Sequence, residues 1–188
     1  MSHKYLQLSF TDAVKESQVH FGARAAGAND KTFDLDDDRL SFAEADFIAA
    51  RDGFYMATVN ADGWPYVQYR GGPTGFLNVL DNATLGFADF RGNRQYISTG
   101  NLTENDRVAL FFMDYANQRR LKVMARTEVF DANEHPDLLE KVRDEAYAAR
   151  IERVVVFHVV AFDWNCPQHI TPRFTQDEWN VMTSKGES

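Results

Sequence analysis

Phe54-Tyr55-Met56-Ala57-Thr58-Val59-Asn60, the turn Ala61-Asp62-Gly63 and the run Tyr66-Val67-Gln68-Tyr69-Arg70 make up the stretch that decides the fold. Aromatic and β-branched residues alternate on both sides of an Asp-Gly pair, the pattern of a β-hairpin with a tight turn. Outward from it, Gly71-Gly72-Pro73-Thr74-Gly75 is a corner that breaks the sheet. Phe76 to Leu80, the turn Asp81-Asn82 and Thr84 to Asp89 then give four strands in succession. After Phe90-Arg91-Gly92 the sequence predicts a short helix that Asn93 caps and Gly100 ends, with Arg94 and Gln95 in its first turn.

Further on, Val108 to Met113 is almost wholly apolar and reads as a strand buried on both faces. A loop from Tyr115 to Gln118 leads into a long alternating strand. There Leu121, Val123, Ala125 and Val129 share one face, and Arg120, Lys122, Met124, Arg126 and Glu128 share the other. An amphipathic helix follows, with Pro136 in its first turn and Leu138, Leu139, Val142 and Ala146 along one stripe. Val154 to Phe162 is a last strand, and the chain ends in an irregular, aromatic and polar segment. Upstream of the hairpin the reading is helical: Thr11 caps one helix, Ser41 with Glu44 forms the capping box of another, and Gly27 to Asp38 is an exposed acidic loop between them. The fold class expected is mainly β (α+β), a closed or split antiparallel barrel with peripheral helices.

With 188 residues, 44% of them hydrophobic, the chain has material for one domain with a real core. Neither a run of about 18 apolar residues nor a basic, then apolar N-terminal leader is present, so no membrane span and no secretory signal are expected. The single cysteine, Cys166, suits a reducing compartment, and the expected location is the cytoplasm. A net charge of −8 repels a phosphodiester polyanion, which argues against nucleic acid as a partner. Charge is nevertheless uneven: acids crowd the first fifty residues, and Arg91, Arg94, Arg107, Arg119, Arg120, Lys122 and Arg126 gather later. Two readings of that basic island stand side by side, an anion site and a solvated face with ordinary surface pairs.

Dinucleotide-binding, Walker-type, Gly-x-Ser-x-Gly and His-Glu-x-x-His motifs are all lacking. Cys166, His169 and the distant His158 fall short of a zinc pattern, so no metal is expected. The segment Leu85 to Leu102 is more informative. A strand ending at Ala88-Asp89, a loop at Gly92 and a helix beginning near Asn93-Arg94 would aim backbone amides and a guanidinium at one point, an arrangement that suits a terminal phosphate. Arg120, Lys122 and Arg70 on nearby strands could add charge-assisted bonds; equally, Arg94 and Arg120 could simply pair with Asp89 and Asp114.

The stretch Phe54 to Phe130, with Phe54-Tyr55-Met56-Ala57-Thr58-Val59-Asn60, Gly63-Trp64-Pro65-Tyr66-Val67-Gln68, Arg70-Gly71-Gly72 and Phe87-Ala88-Asp89-Phe90-Arg91-Gly92-Asn93-Arg94-Gln95-Tyr96, resembles the pyridoxamine 5′-phosphate oxidase-like flavin-nucleotide-binding proteins. The ending Asp163-Trp164-Asn165-Cys166-Pro167-Gln168-His169-Ile170-Thr171-Pro172-Arg173 is similar to that of one branch of the family. The resemblance implies a split barrel over residues 53–188, carrying a C-terminal cofactor and substrate segment, with residues 1–52 as a helical extension packed on it. It also implies a homodimer with FMN in clefts between the protomers, FAD being the second choice.

Residue by residue, the resemblance sets Gln68, Tyr69, Arg70 and Gly71 along the isoalloxazine and ribityl chain, with Ala88 and Asp89 at the end of the fourth strand. Asn93 and Arg94, followed by Gln95, fall at the phosphate position. Arg120 matches a polar position near the cofactor, and Lys122 is a further candidate for the phosphate. Trp164, Gln168, His169 and Arg173 would reach the flavin or the substrate pocket from the other protomer, with His169 as the candidate proton donor. The chain departs from true pyridoxamine phosphate oxidases where their Arg-x-Val-Leu-Leu-Lys strand reads Gln68-Tyr69-Arg70-Gly71-Gly72-Pro73 and their Ser-Arg-Lys reads Gly92-Asn93-Arg94. The function that follows is FMN-dependent oxidation or reduction of a small molecule other than vitamin B6, with NAD(P)H as a candidate donor. A non-catalytic flavin carrier or sensor is the alternative, and haem or a deazaflavin stand behind both.

Overall fold

A computed structural model describes residues 3–28 and 35–184. Seven strands, β1 (Gly53–Val59), β2 (Pro65–Gly71), β3 (Asn78–Asp81), β4 (Thr84–Phe90), β5 (Arg107–Asp114), β6 (Arg119–Asp131) and β7 (Ile151–Trp164), form one sheet in the order β2-β1-β5-β6-β7-β4-β3. Every pairing is antiparallel. Strands lie about 4.8 Å apart, so a flat sheet would hold β1 and β4 roughly 19 Å from each other. Instead the rings of Phe54 on β1 and Phe87 on β4 stand 5.7 Å apart, and both touch Phe157 of β7. The sheet is therefore curled into a split barrel around a phenylalanine core, and its two edge strands, β2 and β3, leave a seam. Phe54, Phe87, Phe112 and Phe157 are almost wholly buried there, and truncating such a ring to alanine costs about 3–5 kcal/mol.

The helices are peripheral: α1 (His3–Ser9), α2 (Asp12–His20), α3 (Phe42–Ala49), α4 (Ile97–Glu104), α5 (Pro136–Val142) and α6 (Gln176–Ser184). Among the described residues no helix is long and apolar enough to cross a membrane. Thr11 and Ser41 cap α2 and α3 as the sequence suggests. Three expectations need correction. Val108 to Met113 is not buried on both faces; its residues alternate between core and surface, so β5 shows an apolar outer face. The amphipathic helix stops at Val142, before Ala146, where Arg143 turns to extended backbone. The C-terminal segment is not wholly irregular but ends in α6. Within the acidic loop, residues 29–34 lie outside the described ones, while its end is anchored. The Asp38 amide donates to Val160 O at 3.0 Å, and its carboxylate accepts from the Phe162 amide at 3.0 Å.

The capping box of α3 extends into the barrel. Glu44 accepts from the Ser41 amide and hydroxyl with one oxygen, and from Trp164 Nε1 at 2.6 Å with the other. Burial pushes this carboxyl up, but the bonds from Ser41 and Trp164 outweigh it and hold it below its ordinary value of 4.5. A depressed carboxyl stabilises the fold fully above its unfolded value, and that contribution is lost as pH falls through the folded one. Glu44→Gln is therefore expected to cost about 1–3 kcal/mol at pH 7. In denaturant titrations the deficit should shrink below pH 4.5; a deficit independent of pH would contradict the assignment.

Candidate functional site

The seam is bridged by charge. Residues alternate along β2, so Gln68 and Arg70 turn inward while Tyr69 faces out. From β2, Arg70 Nη1 donates to Asp89 Oδ1 of β4 at 2.7 Å; from β7, Arg153 donates to Asp89 Oδ2 through Nη2 at 2.7 Å and Nε at 2.9 Å. Asp89 is 2% exposed. Arg153 Nη1 also donates to Glu152 Oε2 at 3.2 Å, so a second carboxylate shares the charge of the two guanidiniums. Burial is the main influence on Arg70 and lowers its guanidinium, against the pull of Asp89. For Arg153 burial also lowers, but its bonds to Asp89 prevail and raise it. Arg70 Nε is buried and meets no hydrogen-bond partner among the described residues.

Beside this cluster opens a cleft of about 250 Å³, floored by Gln68 to Gly71 and walled by Asp89, the loop of residues 91–94 and the first turn of α4. That volume is a little under the roughly 300–1,000 Å³ usual for small-molecule sites. The helix starts later than the sequence suggests. Asn93 Oδ1 accepts from the Gln95 amide at 3.1 Å in a turn, and Arg94 and Tyr96 are left-handed at φ 61° and 53°, which excludes both from a right-handed helix. Ile97 is thus the first helical residue, and Gly100 sits inside α4 rather than at its end. No side chain caps this helix, so the first-turn amides of Ile97, Ser98 and Thr99 are available at the cleft wall. Ser98 Oγ donates to Gln68 Oε1 at 3.1 Å, and Asn101 Nδ2 to Thr58 Oγ1 at 2.9 Å, which locks α4 onto the barrel.

Of the residues singled out in the sequence, Gln68, Tyr69, Arg70, Gly71, Asp89, Asn93 and Arg94 meet at this cleft. Ala88 lies just behind it with its side chain in the core, and Gln95 is exposed on the loop beyond the wall. A second cavity lies around the outer face of β1 and β5, where Arg120, His169 and Arg173 gather near Tyr55 and Phe111. Arg173 stacks on Tyr115 at 5.0 Å, Gln118 holds Ile170 O at 2.7 Å, and Arg120 Nε is buried without a partner among the described residues. Gln168 is exposed on the preceding turn.

The structure does not bring Lys122 or Trp164 to either cavity. Lys122 pairs with Asp163 at 3.2 Å. Trp164 is packed edge-on against Phe47 at 4.7 Å, lies under Arg119 and donates to Glu44, because β7 turns that face toward α3. The basic island is accordingly dispersed: Arg126 pairs with Asp106, and Arg91 with Glu152. Asp89 and Asp114 are paired, as the surface reading of the charges had it, but by Arg70 with Arg153 and by Arg51. Among the described residues no group of three His, Cys, Asp or Glu could hold a metal ion, and Cys166 is exposed.

Among the residues of the seam cleft that sequence reasoning missed are Arg153, Tyr96 and Ser98. Tyr96 OH donates to Glu152 at 3.1 Å and accepts from Arg94 Nε at 3.4 Å, and Arg153 lies 4.8 Å over its ring. The bond to Tyr96 raises the Arg94 guanidinium above its ordinary range.

No curated protein matches this chain. Among solved structures, HupZ of Group A Streptococcus is similar with 14% identity and a TM-score of 0.51, over 72% of this chain and 99% of that one. A Lactobacillus delbrueckii protein provisionally named pyridoxamine 5′-phosphate oxidase is similar with 24% identity and a TM-score of 0.50, over 66% of this chain and 93% of that one. At such identities the likeness extends to the split-barrel fold. A family model described as pyridoxamine 5′-phosphate oxidase matches residues 42–165; that span runs from α3 to the end of β7 and takes in the whole seam cleft, so the chain belongs to the pyridoxamine 5′-phosphate oxidase family.

Proposed function

We propose that this chain binds a flavin nucleotide, with the FMN unit filling the seam cleft, and that as a homodimer it serves as a flavin-dependent oxidoreductase on a small molecule. The observation that carries the reading is the meeting of a buried, partnerless Arg70 Nε, the exposed Arg94 and the uncapped start of α4 in one cleft. These donors fit a flavin phosphate and polar ring edge, because charge-assisted bonds and free helix amides both favour an anion. When bound, FMN supplies the capacity to accept and release a hydride. Gln68, held by Ser98, and Arg70, held by Asp89, would orient the ring; Arg94, Asn93 and the amides of residues 97–99 would hold the phosphate. Vitamin B6 is not proposed as substrate, since the lysine of the family's oxidases is Pro73 here.

The dimer is argued from the second cavity. Tyr69, at the seam cleft, and Tyr55, at the second cavity, have ring centroids 5.4 Å apart, so the two cavities adjoin along one exposed face. A second copy on that face would bring Arg120, His169 and Arg173 to its partner's flavin, with His169 as proton donor. His169→Ala should leave FMN affinity within about twofold and lower turnover on the order of a hundredfold. Unchanged turnover sinks that role, and sedimentation as a monomer sinks the exchange of residues. The enzymatic reading is tested by adding NADPH anaerobically to the FMN-loaded protein: bleaching supports a reductase, and persistent colour supports a carrier.

A further inference from the structure

The loop from Arg91 to Tyr96, which carries Arg94 into the seam cleft, is held by a carboxylate that stands behind the cleft wall rather than in it, that of Glu152. Between β4 and β7 the register shifts: Asp89 lies opposite Arg153 and Phe90 opposite Ile151, so Glu152 is the extra residue of a β-bulge. Neighbouring side chains on a regular strand point to opposite faces. The bulge instead sets Glu152 beside Arg153, and the 3.2 Å bond between them follows from it. The same oxygen, Oε2, accepts from Tyr96 OH at 3.1 Å, and Arg91 Nε stands 3.7 Å from Oε1. Glu152 therefore grips the loop at both ends, with a side chain only 17% exposed.

The loop needs such a grip. Arg94 and Tyr96 are left-handed at φ 61° and 53°, and residues with a Cβ persist in that region only where the surroundings over-determine them. Tyr96 OH, fixed by Glu152, accepts from Arg94 Nε at 3.4 Å, a bond that leaves the two Nη groups for a ligand in the cleft that Arg94 lines. We propose that Glu152 is a positioning residue for the cofactor phosphate: through Tyr96 it sets the loop so that Arg94 meets the phosphate, without touching the ligand itself. Charge alone predicts the opposite effect, because a nearby carboxylate repels an anion and its removal would tighten binding. Positioning predicts looser binding, so the sign of the change decides.

This inference rests on the flavin reading, and the test separates the two. FMN and riboflavin are titrated calorimetrically into the flavin-free full chain, its Glu152→Gln, Tyr96→Phe and Arg94→Ala variants, and the variant carrying both Arg94→Ala and Glu152→Gln. Glu152→Gln is expected to weaken FMN about tenfold and to leave riboflavin within about threefold, because a misplaced guanidinium forfeits most of its charge-assisted bond to the phosphate. Tyr96→Phe keeps the ring under Arg153 and the arginine partners of Glu152, so it should show the same phosphate-specific loss even where Glu152→Gln does not fold. With Arg94 already removed, Glu152→Gln should change FMN affinity by less than about twofold, since residues acting through one another are not additive. FMN bound as tightly or more tightly by Glu152→Gln, equal losses for FMN and riboflavin, or an undiminished loss in the Arg94→Ala background overturns the positioning role and leaves the flavin cleft standing. Binding of neither flavin by the wild type overturns both.

Discussion

Asp89→Ala is expected to destabilise the chain by about 3 kcal/mol, the largest loss from any single change at the site. The carboxylate is 2% exposed and is the common partner of Arg70 and Arg153. Removing it strands the largely enclosed Arg70 guanidinium and leaves Arg153 with Glu152 alone, and breaking a buried pair by deleting one partner typically costs about 3–5 kcal/mol. The lower end applies because the arginine side chains keep 14% and 18% of their exposure. Asp89→Asn, which keeps the volume and one acceptor, should lose less. Urea unfolding of the three proteins checks this, and a deficit under 0.5 kcal/mol for the alanine variant, roughly the noise level of surface changes, would contradict it.

Arg94→Glu is expected to weaken FMN roughly a hundredfold while leaving riboflavin, which lacks the phosphate, within about threefold. A charge-assisted bond to phosphate is worth about 1.5–3 kcal/mol, and reversing the charge adds repulsion. Stability should hardly change, since Arg94 is exposed and its bond to Tyr96 is a long 3.4 Å contact. Equal losses for FMN and riboflavin would mean that Arg94 acts on the ring or on the fold instead. The riboflavin control therefore decides where in the cleft the phosphate sits.

Much of the barrel was legible because its signals are local. The Asp-Gly turn fixes the register of β1 against β2, with Val59 opposite Pro65, and the period-two pattern of β6 sets its two faces. What escaped depends on contacts distant in sequence or on backbone angles. Arg153 sits in a valine-rich run and becomes a site residue only because β7 pairs with β4, opposite Asp89. Nothing in Asn93-Arg94-Gln95-Tyr96 announces two left-handed residues, so the helix was expected three residues early. β5 is apolar from Val108 to Met113, which hides that one face is outward; that face belongs to the surface on which the proposed second copy would pack. Trp164 has the composition of a flavin-stacking residue, yet α3 folds over it and claims its indole N–H through Glu44.

The most direct test of the flavin cleft is the visible spectrum of the protein after loading with excess FMN and removal of unbound ligand, with Arg94→Glu treated alongside. Retention of about one flavin per chain in the wild type, and its loss in the variant, is the result predicted here. A colourless wild-type protein, or equal retention by both, would contradict it.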